Sequence, residues 1–306
     1  LAVLEDLAAG IEHELASVYV IGRSHGCDLC IARPSVSGLH AEIIWDGEAW
    51  WVQDLGSRNG TFHDGRRLSA GERAAVPEGT TVAFGTLEHS YQLKSAAPPR
   101  MLAKASDGLV LVAVDDILCL PSPEACELSI FCEADGRWML ESEAGKRALQ
   151  HREIISVGGK AWELRLPAPT QRTREVDLGV VPDVDNIGLD FAMSRDGEHV
   201  EVTLHTFAGA EALKFRSHLF LLAALARQRV ADMAQEHLGV AEHGWAYRDD
   251  LLRELDIDVQ LMNLWIHRVR QQLAQAGVQG AGAVIERRSG SQQLRIGVGR
   301  LTVRTG

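Results

Sequence analysis

Long apolar runs are missing from this 306-residue sequence. None approaches the roughly 18 residues that a bilayer-crossing helix needs, so no membrane partner is expected. The opening residues, "LAVLEDLAAGIEHELAS", lack a basic stretch, and no signal peptide is read there. Cysteine is scarce, with five in the chain. Cys27 and Cys30 make a single "CDLC" without a second pair, and Cys119, Cys126 and Cys132 have no metal-ligand spacing. All five are expected as free thiols, which favours a cytoplasmic protein without a metal site. Catalytic signatures are absent as well: no Walker lysine loop, no His-Glu-x-x-His and no nucleophile elbow. The Gly-Gly-Lys of "SVGGKAW" (156–162) lacks the P-loop spacing and precedes a strand, and the twelve histidines are scattered singly. Neither an enzyme nor a cofactor is expected.

Basic charge is short overall, with 31 Lys and Arg against 42 Asp and Glu, a net −11. The deficit is uneven. Residues 189–306 hold 14 of each sign, so residues 1–188 carry the whole excess, 17 basic against 28 acidic. Within the C-terminal part, residues 259–306 have seven Arg and one acid, Glu286. Such a basic block on an acidic protein bears on anionic partners. The preceding stretch, 228–258, tempers it with eight acids against three Arg.

What is present at the N-terminus is a series of short strands. "VYVIG" (18–22), "LHAEIIW" (39–45), "AWWVQDL" (49–55) and "TTVAFG" (80–85) are separated by Gly, Asp, Ser and Pro turns, the spacing of an all-β sandwich. Between them lie Gly22-Arg23-Ser24, the run from Ser35 to His40, and "GSRNGT" from Gly56 to Thr61. In this order the loops resemble the forkhead-associated (FHA) domain, a phosphothreonine-reading sandwich, over about 18–94. A phosphothreonine carries about −1.5 to −2 charges and three acceptor oxygens, so its receptor needs a cation and several donors. Arg23 suits the phosphate, Ser37 offers a hydroxyl, and Arg58 with Ser57 adds donors from the third loop. The resemblance implies that Asn59 holds the peptide backbone and that Gly22, His40 and Gly60 support the site. One departure is Gly38, where many members have Arg.

Residues 101–167 again read as strands: "GLVLVAV", "DILCL", "CELSIFC", "RWMLES" and "AWELRLP". "CELSIFCEADGRWMLES" echoes "LHAEIIWDGEAWWVQDL", which suggests a second, degenerate FHA-like domain; an unrelated small β domain is the alternative. "AVDD" stands where Gly-Arg would be, no Ser-x-x-His follows, and "EAGKRAL" replaces the Asn-Gly loop, so no phosphopeptide is expected there. "SAAPPR" (95–100) reads as a connector, and a Pro- and charge-rich segment as a linker. Thr170 and Thr173 in it are candidate kinase sites.

The period then changes. "LDFAMS" and "HVEVTLHTF" are strand-like; "ALKFRSHLFLLAALARQR" (212–229) predicts a buried helix and "RVADMAQEHLGV" a second, short one. "GWAYRDDLLREL" (244–255) follows, and 258–277 makes a longer helix with Asp258 as N-cap and Gly277 as stop. Two strands close the chain. This order, with "RDDLLREL" and "NLWIHRVRQQL", resembles the winged-helix effector domain of the OmpR/PhoB class over about 189–304, although its receiver domain and Gly-x-Gly-Tyr wing are missing. Met262, Ile266, Val269 and Leu273 should face the core. The resemblance implies base-facing Asn263, Leu264 and Arg268, backbone contacts from Trp265, His267 and Arg270, and wing contacts from Arg287, Arg288 and Arg295.

The sequence thus predicts a multidomain protein. An FHA sandwich (1–97) is followed by a degenerate FHA-like β domain (98–167), a linker (168–188) and an α+β winged helix-turn-helix (189–306). The function expected is a phosphothreonine-dependent transcriptional regulator, with a phosphothreonine-containing protein, a Ser/Thr kinase and duplex DNA as partners. The alternative is a signalling adaptor whose winged helix binds protein. No dimerisation element is evident.

Overall fold

A computed structural model describes residues 1–167, 181–195, 197–235 and 237–306. Thr170 and Thr173, with most of the expected linker, lie outside the described residues. The chain divides into two units. The first holds Leu1–Ala103 and the residues from Leu164; the second holds Lys104–Glu163 and the C-terminal residues to Gly306. Among the described residues no helix is long and apolar enough to cross a membrane.

In the first unit the strands are β1 (Val3–Asp6), β2 (Ile11–Glu14), β3 (Val18–Gly22), β4 (Leu29–Cys30), β5 (Ala41–Trp45), β6 (Trp50–Asp54), β7 (Thr61–His63), β8 (Arg66–Arg67), β9 (Arg73–Ala75), β10 (Thr81–Phe84) and β11 (Ser90–Ser95). One sheet has the order β2-β1-β11-β10-β7-β8, the other β4-β3-β5-β6-β9. Alternation along β5 and β6 buries Ala41, Ile43, Trp50 and Val52, and these meet Leu4, Val82 and Leu93 in one core. The β5–β6 turn is held by Asp46, whose carboxylate accepts from the amides of Glu48 (3.0 Å) and Ala49 (2.9 Å). Register places the recognition end. Ile21 pairs with Ala41, and Ala41 with Asp54, so the loops after β3, before β5 and after β6 all leave the sheet at the same edge.

In the second unit a smaller pair of sheets comes first. Its strands are β12 (Leu102–Ala105, which begins in the first unit), β13 (Val110–Val112), β14 (Ile117–Leu120), β15 (Leu128–Cys132), β16 (Trp138–Ser142), β17 (Gly145–Ala148), β18 (Ile154–Val157) and β19 (Lys160–Arg165, which ends in the first unit). The orders are β13-β12-β19-β18 and β14-β15-β16-β17. Two sequence expectations need correction. The Asp115-Asp116 pair forms a left-handed turn before β14 (φ 53° and 58°), whereas Gly22-Arg23 follows β3; the segment in the corresponding place after β14 starts at Pro121. The cysteines are not all free, because Cys119 and Cys126 form a disulfide. Their seven-residue spacing says nothing about proximity, which comes from the chain turning back between β14 and β15.

The C-terminal part adds β20 (Gly188–Met193), β21 (Val200–Thr206), β22 (Gly209–Ala212), α1 (Leu219–Met233), β23 (Ala246–Tyr247), α2 (Arg248–Leu255), α3 (Val259–Gln275), β24 (Ile285–Arg288), β25 (Gln293–Ile296) and β26 (Arg300–Thr305). Its sheets are β22-β21-β20-β26 and β23-β25-β24. The helix expected over 212–229 starts seven residues later, at Leu219, and absorbs the start of the expected second helix. Residues 209–212 extend a hairpin with β21 instead, where backbone pairing outweighs helical periodicity. Asp258 caps α3, accepting from the Leu261 amide at 2.7 Å, and Gly277 (φ 86°) follows its end. Met262, Ile266, Val269 and Leu273 of α3 pack with Leu221, Leu222 and Leu225 of α1.

His267 on α3 is also buried, only 3% exposed. Burial, with Arg270 and Arg268 nearby, holds its pKa down to about 4, against an upward pull from Glu124. The folded ring therefore stays neutral where the unfolded one, with an ordinary pKa near 6.5, takes a proton. Stability is full above about pH 6.5 and is lost as pH falls towards 4, by up to about 3 kcal/mol. Urea unfolding across this window should show the loss in the wild type and a shallower one in His267→Gln.

Candidate functional site

The three loops at the common edge are cross-linked by backbone and buried side chains. The amides of Arg23 and Ser24 donate to the carbonyls of Ser37 (2.8 Å) and Gly38 (3.1 Å), which joins the first loop to the second. Gly22 makes this approach possible: a Cβ there would lie 2.2 Å from the Gly38 carbonyl oxygen. Cys27 reinforces the seam, its thiol 3.4 Å from the same oxygen.

The second and third loops are joined by His40. Its Nδ1 accepts from the Ser37 amide at 3.0 Å, so in the neutral ring Nε2 carries the proton and donates to the Gly60 carbonyl at 3.1 Å. The ring is fully buried and packs edge-on to Phe84, and burial lowers its pKa although Gly60 and Asp54 pull the other way. Two further links cross the same gap. The Arg58 amide donates to the Ser37 hydroxyl oxygen at 3.1 Å, and the Asn59 side-chain amide donates to the Ser35 carbonyl at 2.7 Å. Ser37 keeps its hydroxyl proton for an incoming acceptor, and Asn59 keeps a second N–H and its carbonyl oxygen.

Arg23 and Arg58 are exposed at this junction. Among the described residues, no group bonds either guanidinium. The arrangement can therefore offer two cations, a hydroxyl and an amide to one anionic, extended ligand.

Ser57 departs from expectation. Its hydroxyl donates to Asp54 at 2.6 Å and accepts from the Gly60 amide at 3.0 Å, so its one proton is already committed. It braces the loop and is not a phosphate donor. Sequence reading missed the centre of that brace, Asp54, which is 2% exposed. Its carboxylate accepts from the amides of Gly56 and Ser57 (both 2.9 Å) and the hydroxyls of Ser57 and Thr61 (2.7 Å). Burial pushes its pKa up, but these donors outweigh that and leave it below the ordinary value. The Asp-x-x-Ser spacing in "DLGSRNGTF" is the signal, since a carboxylate commonly caps the amides that follow it.

The expected DNA-reading residues are placed differently. Arg270 is fully buried and bonds Glu141 (2.7 Å), Ser129 (3.1 Å) and the Ile285 carbonyl (2.7 Å). Buried His267 and Trp265 likewise face protein, and Leu264 is half-buried. Asn263 accepts from Arg287 at 2.7 Å, and Arg287 also reaches Glu141 at 3.3 Å. On the hairpin, Arg288 pairs with Glu242 and Arg295 with Glu286 (2.6 Å). Of the set, Arg268 and Arg288 remain exposed. The backbone-contact role read for His267 and Arg270 is thus corrected: both side chains turn into packed protein, and buried groups cannot meet a groove.

Removing the Asp54 carboxylate orphans several donors at once. Asp54→Ala is expected to lower the unfolding free energy of the first unit by about 2 kcal/mol or more, read by urea titration. Arg23→Ala, which removes an unpartnered exposed side chain, should leave it within about 0.5 kcal/mol of wild type.

A family model of the FHA domain matches residues 19–85. The FHA domain-containing protein FhaB of Mycobacterium tuberculosis is 36% identical over 86 residues, which is 28% of this chain and 54% of that protein. The chain thus spans about half the length of this curated relative. Among solved structures, Mycobacterium tuberculosis EmbR in complex with a low-affinity phosphopeptide is similar at 28% identity, covering 31% of this chain and 24% of that one, with a TM-score of 0.29. The FHA domain of the CT664 protein from Chlamydia trachomatis is similar at 29% identity, covering 31% and 98% of the respective chains, with a TM-score of 0.28. The cross-linked loops lie within the matched segment, and the N-terminal sandwich of this chain is an FHA domain, a class of module that binds phosphopeptides.

Proposed function

We propose that this chain is a phosphothreonine-dependent signalling adaptor that reads a protein marked by a Ser/Thr kinase. The observation that carries the reading is the unpartnered Arg23 guanidinium beside Ser37 and Arg58, at loops already locked together. A dianionic ester would draw charge-assisted bonds from both guanidiniums and a hydroxyl bond from Ser37, while Asn59 holds the neighbouring peptide backbone. Arg58 supplies charge near the position where Gly38 withholds it.

The C-terminal part has the helix order and closing hairpin of a winged helix, and we read it as one. Transcriptional regulation through duplex DNA needs the α3 face bare. The adaptor reading fits better because Arg270 and His267 are buried in protein. The second sandwich repeats the strand order of the first in reduced form: an initial hairpin, a four-stranded sheet, and a last hairpin beside the first strand. We read it as a degenerate FHA-like domain without a phosphate pocket, since Pro121 and Glu143-Ala144 stand where the first sandwich carries Arg23 and the Asn59 loop.

A position-randomised phosphothreonine peptide library, with a dephosphorylated aliquot as control, tests the main claim by fluorescence anisotropy. Wild type should retain the phosphorylated library alone, and Arg23→Ala should bind at least about tenfold more weakly. Lowering pH through about 6 protonates the phosphate to its monoanion and should weaken binding further. Equal retention of both libraries would reject phosphothreonine reading.

A further inference from the structure

Within the second unit, the face of α3 that carries Asn263, His267 and Arg270 is not open to solvent. The sheet β14-β15-β16-β17 lies on it. Ala274 of α3 packs against Ile117, Phe131 and Met139 of that sheet. The Phe131 ring presses on the turn before β24 so closely that a Cβ at Gly282 would lie 2.1 Å from it. The same ring takes the Arg270 guanidinium 4.6 Å from its centroid.

The polar centre of this contact is one carboxylate. Glu141 on β16 accepts from Arg270 and Arg287 through the same oxygen, and Ser129 on β15 takes a further proton of Arg270. Both Arg270 (0%) and Glu141 (2%) have buried side chains. At the rim, Glu143 pairs with Arg248 at 2.9 Å, and Gly145 meets Ser289. Two guanidiniums converging on one anionic oxygen is what a helix and wing would do to a phosphodiester.

We propose that the second sandwich is a permanent intramolecular cap on the α3–β24 face, with Glu141 occupying the place of a nucleic-acid phosphate. The C-terminal part therefore meets other molecules through its remaining surfaces. Permanence follows from the chemistry. Parting the surfaces would give up the hydrogen bonds that Arg270 makes to Glu141 and Ser129. It would also bare Phe131 and its apolar neighbours. A pair without solvent access is poorly screened, so added salt does not loosen it. Asp249, Asp250, Glu254, Asp256 and Asp258 are all exposed on α2 and the approach to α3.

The claim is independent of phosphothreonine reading at Arg23 and is tested on the full chain. Hydrogen exchange of the wild type, which needs no variant, should show the amides of α3 and of β15 and β16 opening together. A fluorescein-labelled random-sequence duplex DNA at low ionic strength should not be retained. Glu141→Gln should lower the unfolding midpoint of α3 and of β15–β16 alike, without a gain in DNA retention. DNA retention by the wild type, a tenfold gain in Glu141→Gln, or exchange of β15–β16 well ahead of α3 would each overturn the permanent cap.

Discussion

A single neutral imidazole carries the recognition end of this molecule. His40 stands between the Ser37 amide and the Gly60 carbonyl, and each of those groups belongs to a different loop. The bridge requires one nitrogen to accept while the other donates, which a protonated ring cannot do. Burial beside Phe84 keeps the ring in that state. Once Ser37 is fixed, its hydroxyl oxygen takes the Arg58 amide, and Arg58 and Asn59 take their places in turn. Arg23 depends on the same framework through its own amide on the Ser37 carbonyl. The exposed guanidiniums are the adaptable part of a site whose backbone is fixed before any ligand arrives, so less ordering accompanies binding.

The first sandwich was legible because its evidence is local. Period-two alternation sets the strands, and Gly-Arg, Ser-x-x-His and Asn-Gly sit at turns whose chemistry is written in adjacent residues. Ser57 was misread for a different reason. A hydroxyl three residues from a carboxylate and one residue from Arg58 can serve either neighbour, and only a rotamer decides which. The disulfide was illegible for a related reason: proximity of Cys119 to Cys126 depends on how the chain returns from β14 to β15.

The α3 stripe shows the limit more sharply. Asn263, His267 and Arg270 recur at the three- and four-residue steps that define one helical face. That face looks the same in sequence whether its partner is a DNA groove or a sheet bearing Glu141. The apolar stripe of Met262, Ile266, Val269 and Leu273 was readable because water excludes it everywhere, whereas a polar stripe takes its meaning from what lies opposite. Net charge gave no warning either, because the acid that neutralises Arg270 comes from a strand 129 residues away in the chain.

Three sheets set an early strand beside a much later one: β1 next to β11, β12 next to β19, and β20 parallel to β26. Val3 thus finds Ser95, and Gly188 finds Arg300, across a long stretch of intervening chain. Contacts of such long sequence separation form late, after the entropy of closing the loop has been met. During synthesis none of these sheets is complete until its final strand has left the ribosome, and until then the waiting strand edges stand open to wrong partners.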